Sequence, residues 1–101
     1  MAVIQGVLID SETMKPIPYA AVTLVKGGLV VDKTHTEADG SFRFDNVPIG
    51  EFVIIGRSPV HNPVTHPLIV EDPNKIYNVE LRTVKITLSE IYAGNYTASE
   101  G

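Results

Sequence analysis

The chain contains no cysteine and no tryptophan. Without cysteine there is no disulfide framework, no thiolate nucleophile and no zinc site of the usual cysteine-rich kinds, so stability has to come from burial and strand pairing. Runs of like charge are missing too: the 12 acidic and 8 basic residues are scattered, for a formal net charge of -4. Nucleic-acid binding needs clustered Lys and Arg to neutralise phosphates, and that partner class is excluded here. No apolar stretch approaches the roughly 20 residues that span a bilayer, and the opening residues lack the basic, apolar, small-residue order of a signal peptide. Membrane insertion is not expected. Helical periodicity is scarce throughout.

What is present is short-range alternation. A chain of 101 residues with a 44% hydrophobic share is the size of one domain and can fill one two-layer core. Val, Ile and Thr come in short runs broken by Gly, Pro, Asn and Asp every eight to twelve residues or so, the rhythm of a sandwich or barrel. Strands are expected over residues 2–10, 19–26, 29–36, 41–45, 51–57, 68–71 and 76–81, with one more alternating run over 83–92. The polar stretch 11–18 carries two prolines and reads as a loop, and Gly27 with Gly28 supplies a tight hairpin turn. Asp39 and Gly40 form the sharpest turn signal, and Pro48 with Gly50 makes another. Residues 51–57 are apolar on both faces, which places that strand centrally in its sheet. Residues 58–67 hold Pro59, Pro63 and Pro67 and read as a surface loop leading to an edge. Ala20, Val22, Leu24, Phe42, Phe44, Phe52, Ile54, Val79 and Leu81 are the expected buried layer.

Four of these pieces stand in a distinctive order: Gly6-Val7-Leu8-Ile9-Asp10, then Pro16-Ile17-Pro18-Tyr19-Ala20-Ala21-Val22-Thr23-Leu24, then Thr36-Glu37-Ala38-Asp39-Gly40-Ser41-Phe42-Arg43-Phe44, then Val47-Pro48-Ile49-Gly50-Glu51-Phe52-Val53-Ile54. Together they resemble the carboxypeptidase regulatory-like family of transthyretin-like sandwiches, over roughly residues 5–81. The resemblance implies an all-β, seven- or eight-stranded antiparallel Greek-key sandwich. It also implies an accessory, scaffold or attachment role without chemistry of its own, as in secreted enzymes, outer-membrane receptors, adhesins and virion proteins. An extracellular, cell-surface or virion setting follows from it, rather than a cytoplasmic one.

An enzyme shares this fold class, the transthyretin-related hydrolase of 5-hydroxyisourate. That family carries a first-strand histidine and a terminal Tyr-Arg-Gly-Ser; here the first strand offers Gln5, and the late tyrosine reads Tyr92-Ala93-Gly94. The other constellations have plainer readings. His35, His61 and His66 could serve as bases or ligands, but His61 and His66 fall in the proline-rich segment with no carboxylate partner nearby in sequence, and surface residues are expected. Ser58 beside His61 lacks a nucleophile-elbow pattern. Asp10, Glu12, Asp32, Asp39, Asp45, Glu71 and Asp72 lack the spacing of a calcium loop. Residues 2–10 hold no lysine for an intramolecular crosslink of the kind found in collagen-binding B-repeats, and Asn95-Tyr96-Thr97 matches the glycosylation pattern at a level chance explains.

No catalytic residue, cofactor or metal is therefore expected. The expected partner is another protein or a second copy of the chain, with a glycan as the alternative and a carbohydrate- or peptide-binding accessory domain as the alternative role. A sandwich is complete by residue 82, so residues 83–101 are left over as an extra strand and tail. Val84, Ile86, Leu88, Ile91 and Tyr92 mark that strand, which is expected to add to a sheet edge of its own molecule or of a neighbouring subunit. Large aromatic side chains on an open face would favour glycan binding, and an apolar edge would favour assembly.

Overall fold

The computed structural model describes residues 1–86. They form seven strands and no helix: β1 (Ala2–Asp10), β2 (Ala21–Lys26), β3 (Leu29–His35), β4 (Ser41–Val47), β5 (Gly50–Ser58), β6 (His61–Val70) and β7 (Ile76–Thr83). Two sheets face each other, one ordered β4-β1-β7 and the other β3-β2-β5-β6. Alternation on the strands drives this, since each sheet must bury one apolar face and a second sheet is the surface available to cover it. Only the β2–β3 and β5–β6 connections stay within one sheet; the other four cross between sheets, as in a Greek key. The pairs are antiparallel with one exception among the described residues: β1 and β7 run parallel, from Val3 beside Ile76 to Asp10 beside Thr83. Side-chain alternation is the same for both directions and carries no sign of which will form.

The core fills the space between the sheets. Ala20, Val22, Leu24, Phe42, Phe44, Phe52, Ile54, Val79 and Leu81 are all buried in it. Ala2, Ile4, Leu8, Ile17, Val47 and Val70 join them. The Phe42 and Phe44 rings meet edge to face with centroids 6.1 Å apart. Gly6 lies opposite Phe42 across the β1–β4 pair. A Cβ at Gly6 would stand 2.7 Å from Phe42 Cζ and would also collide with the Val79 carbonyl oxygen, so the bare backbone is what admits the ring. Gly40 holds φ at 79° in the β3–β4 turn, and a Cβ there would come within 2.6 Å of Pro16 Cβ. Asp39 Oδ1 completes that turn by accepting the Ser41 backbone N–H at 3.0 Å and the Ser41 hydroxyl at 2.6 Å. Pro48 sits in the exposed connection between β4 and β5, where the chain changes sheet before Gly50 opens β5.

As expected from its two apolar faces, β5 is central, between β2 and β6. Residues 58–67 differ from the loop expected: most of them belong to the ten-residue β6, paired with β5 from Ser58–His61 to Gly50–Val70. The prolines are accommodated because β6 is an edge. A register shift between Gly56 and Ser58 places a bulge early in β6. Pro63 falls within that bulge, with Asn62 opposite Arg57, and Pro67 lies beyond it on the same outermost strand, whose ladder neighbour is β5.

Candidate functional site

The polar side chains that do most inside the sandwich meet at one end of it. Asp10 is the last residue of β1, Ser58 the last of β5 and His61 the first of β6. A two-residue turn at Pro59 and Val60 sets Ser58 opposite His61, and the sheet-to-sheet packing brings Asp10 to the same place from the other layer. His61 Nε2 donates to Asp10 Oδ2 at 3.0 Å, and His61 Nδ1 lies 3.0 Å from Ser58 Oγ. The side chain of Asp10 also accepts the Glu12 and Thr13 backbone N–H groups, at 2.9 and 3.2 Å, which turns the chain out of β1. The hydrogen bond from His61, seconded by the Glu12 N–H, holds the Asp10 carboxyl below its ordinary value against an opposing push from burial.

This corrects the expectation for His61. It is not a surface loop residue; it is 6% exposed, as is Asp10, and Ser58 is 9% exposed. The pair was hidden because its members stand 51 residues apart. A hydroxyl, an imidazole and a carboxylate in one row is also the inventory of a nucleophilic triad. The groove at this end, about 290 Å³, is lined by Asp10, Thr13, Lys15, Ile17, His61 and Lys85, among others, and Ser58 is not among the described residues that line it. A molecule in the groove would meet the Asp10–His61 pair. The row ties the ends of β1, β5 and β6 together.

His35 reaches a larger groove of about 550 Å³ on another side, with Gln5, Glu37, Phe42 and Arg43 among its lining residues. Arg43 donates to Gln5 Oε1 at 3.3 Å, and Gln5 Nε2 donates to Asn78 at 3.0 Å, a polar row across β4, β1 and β7. Among the described residues, the one aromatic ring lining this groove belongs to Phe42, which is buried in the core. His66 is half-buried on β6, and no set of three or more His, Asp or Glu among the described residues could hold a metal ion.

The sheet edges differ sharply. The β6 strand carries Pro63 and Pro67, and its first residues are covered by the chain itself: Asn62 N–H donates to Val84 O at 3.0 Å and Ile86 N–H to Val60 O at 3.0 Å. Val84 and Ile86 are half-buried there, with a bridge between His61 and Lys85. Leu88, Ile91 and Tyr92, the rest of the expected extra strand, lie outside the described residues. At the opposite edge, β3 has β2 as its one sheet partner among the described residues, and its first three residues, Leu29, Val30 and Val31, are 72%, 54% and 51% exposed. Val31 is the extra residue of a bulge against β2. Sequence reasoning took this stretch for an ordinary return strand, because apolar residues in succession look the same whether covered or bare.

A family model for the carboxypeptidase regulatory-like domain matches residues 3–89. The chain belongs to the carboxypeptidase regulatory-like domain family. A search of curated protein sequences gives no match. Among solved structures, the chain is similar to the Bacillus anthracis TIE protein, with a TM-score of 0.73 and 18% identity over 84% of this chain and 17% of that one. It is similar to the group B streptococcus pilus 2b backbone protein, with a TM-score of 0.68 and 16% identity over 84% of this chain and 41% of that one. It is also similar to Klebsiella pneumoniae 5-hydroxyisourate hydrolase, with a TM-score of 0.63 and 15% identity over 86% of this chain and all of that one. These likenesses show the transthyretin-like fold that this carboxypeptidase regulatory-like domain shares with an enzyme and with parts of larger proteins, a pilus backbone protein among them.

Proposed function

We propose that this domain is a non-catalytic structural module that joins protein subunits or domains through a sheet edge, in a surface, adhesin or virion setting. The observation that carries the reading is the bare apolar start of β3, where Leu29, Val30 and Val31 stand exposed in succession on an edge strand. Soluble sheets ordinarily blunt such an edge with proline, charge or cover, as β6 does here. Tyr19, 72% exposed, is the one strongly exposed aromatic among the described residues, which supplies no platform for stacking a sugar. The pilus protein among the similar structures supports a role in building larger assemblies. Against hydrolysis stand the buried Ser58 and the glutamine at position 5 where the hydrolase family has histidine.

The extra strand marked by Val84, Ile86, Leu88, Ile91 and Tyr92 belongs to the same reading as an assembly arm. A photoreactive amino acid at Val31 of the full chain tests the reading. Irradiation in the native setting is expected to give adducts to another protein or to a second copy, while the same probe at Glu51 gives few. Absence of protein adducts at Val31, together with turnover of 5-hydroxyisourate above the buffer rate, would overturn it.

A further inference from the structure

At the end of the sandwich that holds the Asp10–His61 pair, a strained loop displays Tyr19 beside a groove lined by Lys15 and Lys85, and we infer that this end docks an acidic segment of a partner protein. The inference stands apart from the β3 edge. Tyr19 leads into the Ala21 end of β2, whose partners are His35 and Arg57, whereas Val30 lies across from Val25 at the far end.

The first observation is strain. Met14 and Tyr19 hold φ at 60° and 57°, in the left-handed region that L side chains rarely adopt. Glycine would take either place more readily, and Asn46, the third such residue, is of a type that tolerates it. Neither side chain offsets the strain by packing, since Met14 is 52% and Tyr19 72% exposed. Strain held on exposed residues points to a use outside the fold. The second observation is rigidity. Asp10 N–H donates to Lys15 O at 2.9 Å, Ile17 N–H to Leu8 O at 2.9 Å and Tyr19 N–H to Thr36 O at 3.0 Å, with Pro16 and Pro18 between these anchors. A ring presented on a fixed loop loses little freedom on binding, which suits an interface anchor.

The third observation is charge. Thr13, Lys15, Pro16 and Pro18 line the groove together with Asp10, His61 and Lys85. Neither lysine is in an ion pair among the described residues. The Asp10 carboxylate is taken up by His61 and by the Glu12 and Thr13 N–H groups. Three other grooves among the described residues differ: one sets Arg43 beside Glu37, one sets Lys26 beside Asp32 and Asp45, and one holds Glu51 as its charged residue. On a chain of net charge -4, two ammonium groups at one groove favour carboxylates. Exposed Met14, Tyr19 and Val60 add apolar and aromatic surface, which belongs to a protein interface more than to a small-anion site.

A display library of random peptides, selected on the full chain, tests this without a known partner. The selected peptides are expected to combine Asp or Glu with an apolar residue, and to shift the amide resonances of Thr13, Lys15, Tyr19, His61 and Lys85. Tyr19→Gly and Lys15→Glu are each expected to weaken a selected peptide by about tenfold or more, with Lys85→Glu as a second charge variant and circular dichroism to show that each is folded. Tyr19→Gly is also expected to raise the melting temperature by about 2–8 °C, because relief of the left-handed strain exceeds the freedom that glycine adds to the unfolded chain. Val31→Lys, on the β3 edge, is expected to leave the affinity unchanged. A selection that yields no peptides, or peptides without an excess of acid, overturns the inference. A Tyr19→Gly chain that melts lower than the natural one overturns it as well, since the ring then serves the fold. Binding lost in Val31→Lys and kept in Lys15→Glu places the peptides on β3, which overturns this inference and leaves the assembly reading standing. A chain ending at Ile86 that binds the same peptides far more tightly than the full chain shows the groove filled by the chain's own terminus, and that result overturns it too.

Discussion

Thr36 and Asp10 show how single side chains close this fold without cysteine. Thr36 is buried just past β3; its Oγ1 accepts the Ala20 N–H at 2.8 Å and donates to Ile17 O at 2.7 Å, pinning the loop that enters β2. Thr36→Val keeps the shape and strands both backbone groups in the core. The expected loss is about 1–3 kcal/mol, read from the midpoint of urea denaturation. Asp10 behaves differently because it ionises. Its folded pKa is depressed, chiefly by the His61 hydrogen bond, as is that of Asp39 by the Ser41 hydroxyl. A depressed carboxyl contributes stability above its unfolded value, and loses it as pH falls through the folded value. Melting temperatures measured from neutral to strongly acid pH are therefore expected to fall on the acid side for the natural chain. The gap between it and Asp10→Asn should be widest near neutrality and shrink as the solution becomes acid. A gap that stays constant with pH would show that Asp10 acts by shape alone.

Individual elements tell which parts of the chain were legible before the structure. The β2–β3 and β5 readings rested on local signals, a Gly-Gly turn and a two-faced apolar strand, and such signals act over a few residues wherever they occur. β6 was misread because proline forbids a central strand and tolerates an outer one, and being outermost is a property of the whole sheet. The Asp10–His61 pair was illegible for the same reason, as neither side chain says where the other will be. The facing of β1 onto the core was not assigned from its sequence, yet Ile4 and Leu8 are fully buried and Gly6 between them makes room for Phe42. Gly6→Ala is expected to destabilise the sandwich by about 1–3 kcal/mol through that collision. Phe44→Ala, which empties a site 1% exposed, is expected to cost about 3–5 kcal/mol. Both are read from denaturation midpoints, and an unmoved midpoint for Phe44→Ala would put that ring outside the core.

For the whole molecule, the boundary between sandwich and arm is open to a direct cut. A chain shortened to end at Ile86 keeps the bonds of Val84 and Ile86 to β6, and is expected to melt close to the full chain while losing its association. One shortened to end at Arg82 also loses Thr83, whose hydroxyl donates to Asn62 O at 2.5 Å. It is expected to stay folded and melt lower, by the equivalent of roughly 1–3 kcal/mol for the lost hydrogen bonds. The parallel β1–β7 pair bears on time as well as on strength. Gln5 and Asn78, which meet across it, are 73 residues apart, and β1 finds its other partner only in β4. On a ribosome, β1 therefore emerges first and waits longest, while β2 with β3, and then β5 and β6, can pair from neighbouring sequence. Contacts between such distant positions form slowly. During that wait the apolar residues of β1, Ile4 and Leu8 among them, are the stretch of the nascent chain most in need of a chaperone's shelter.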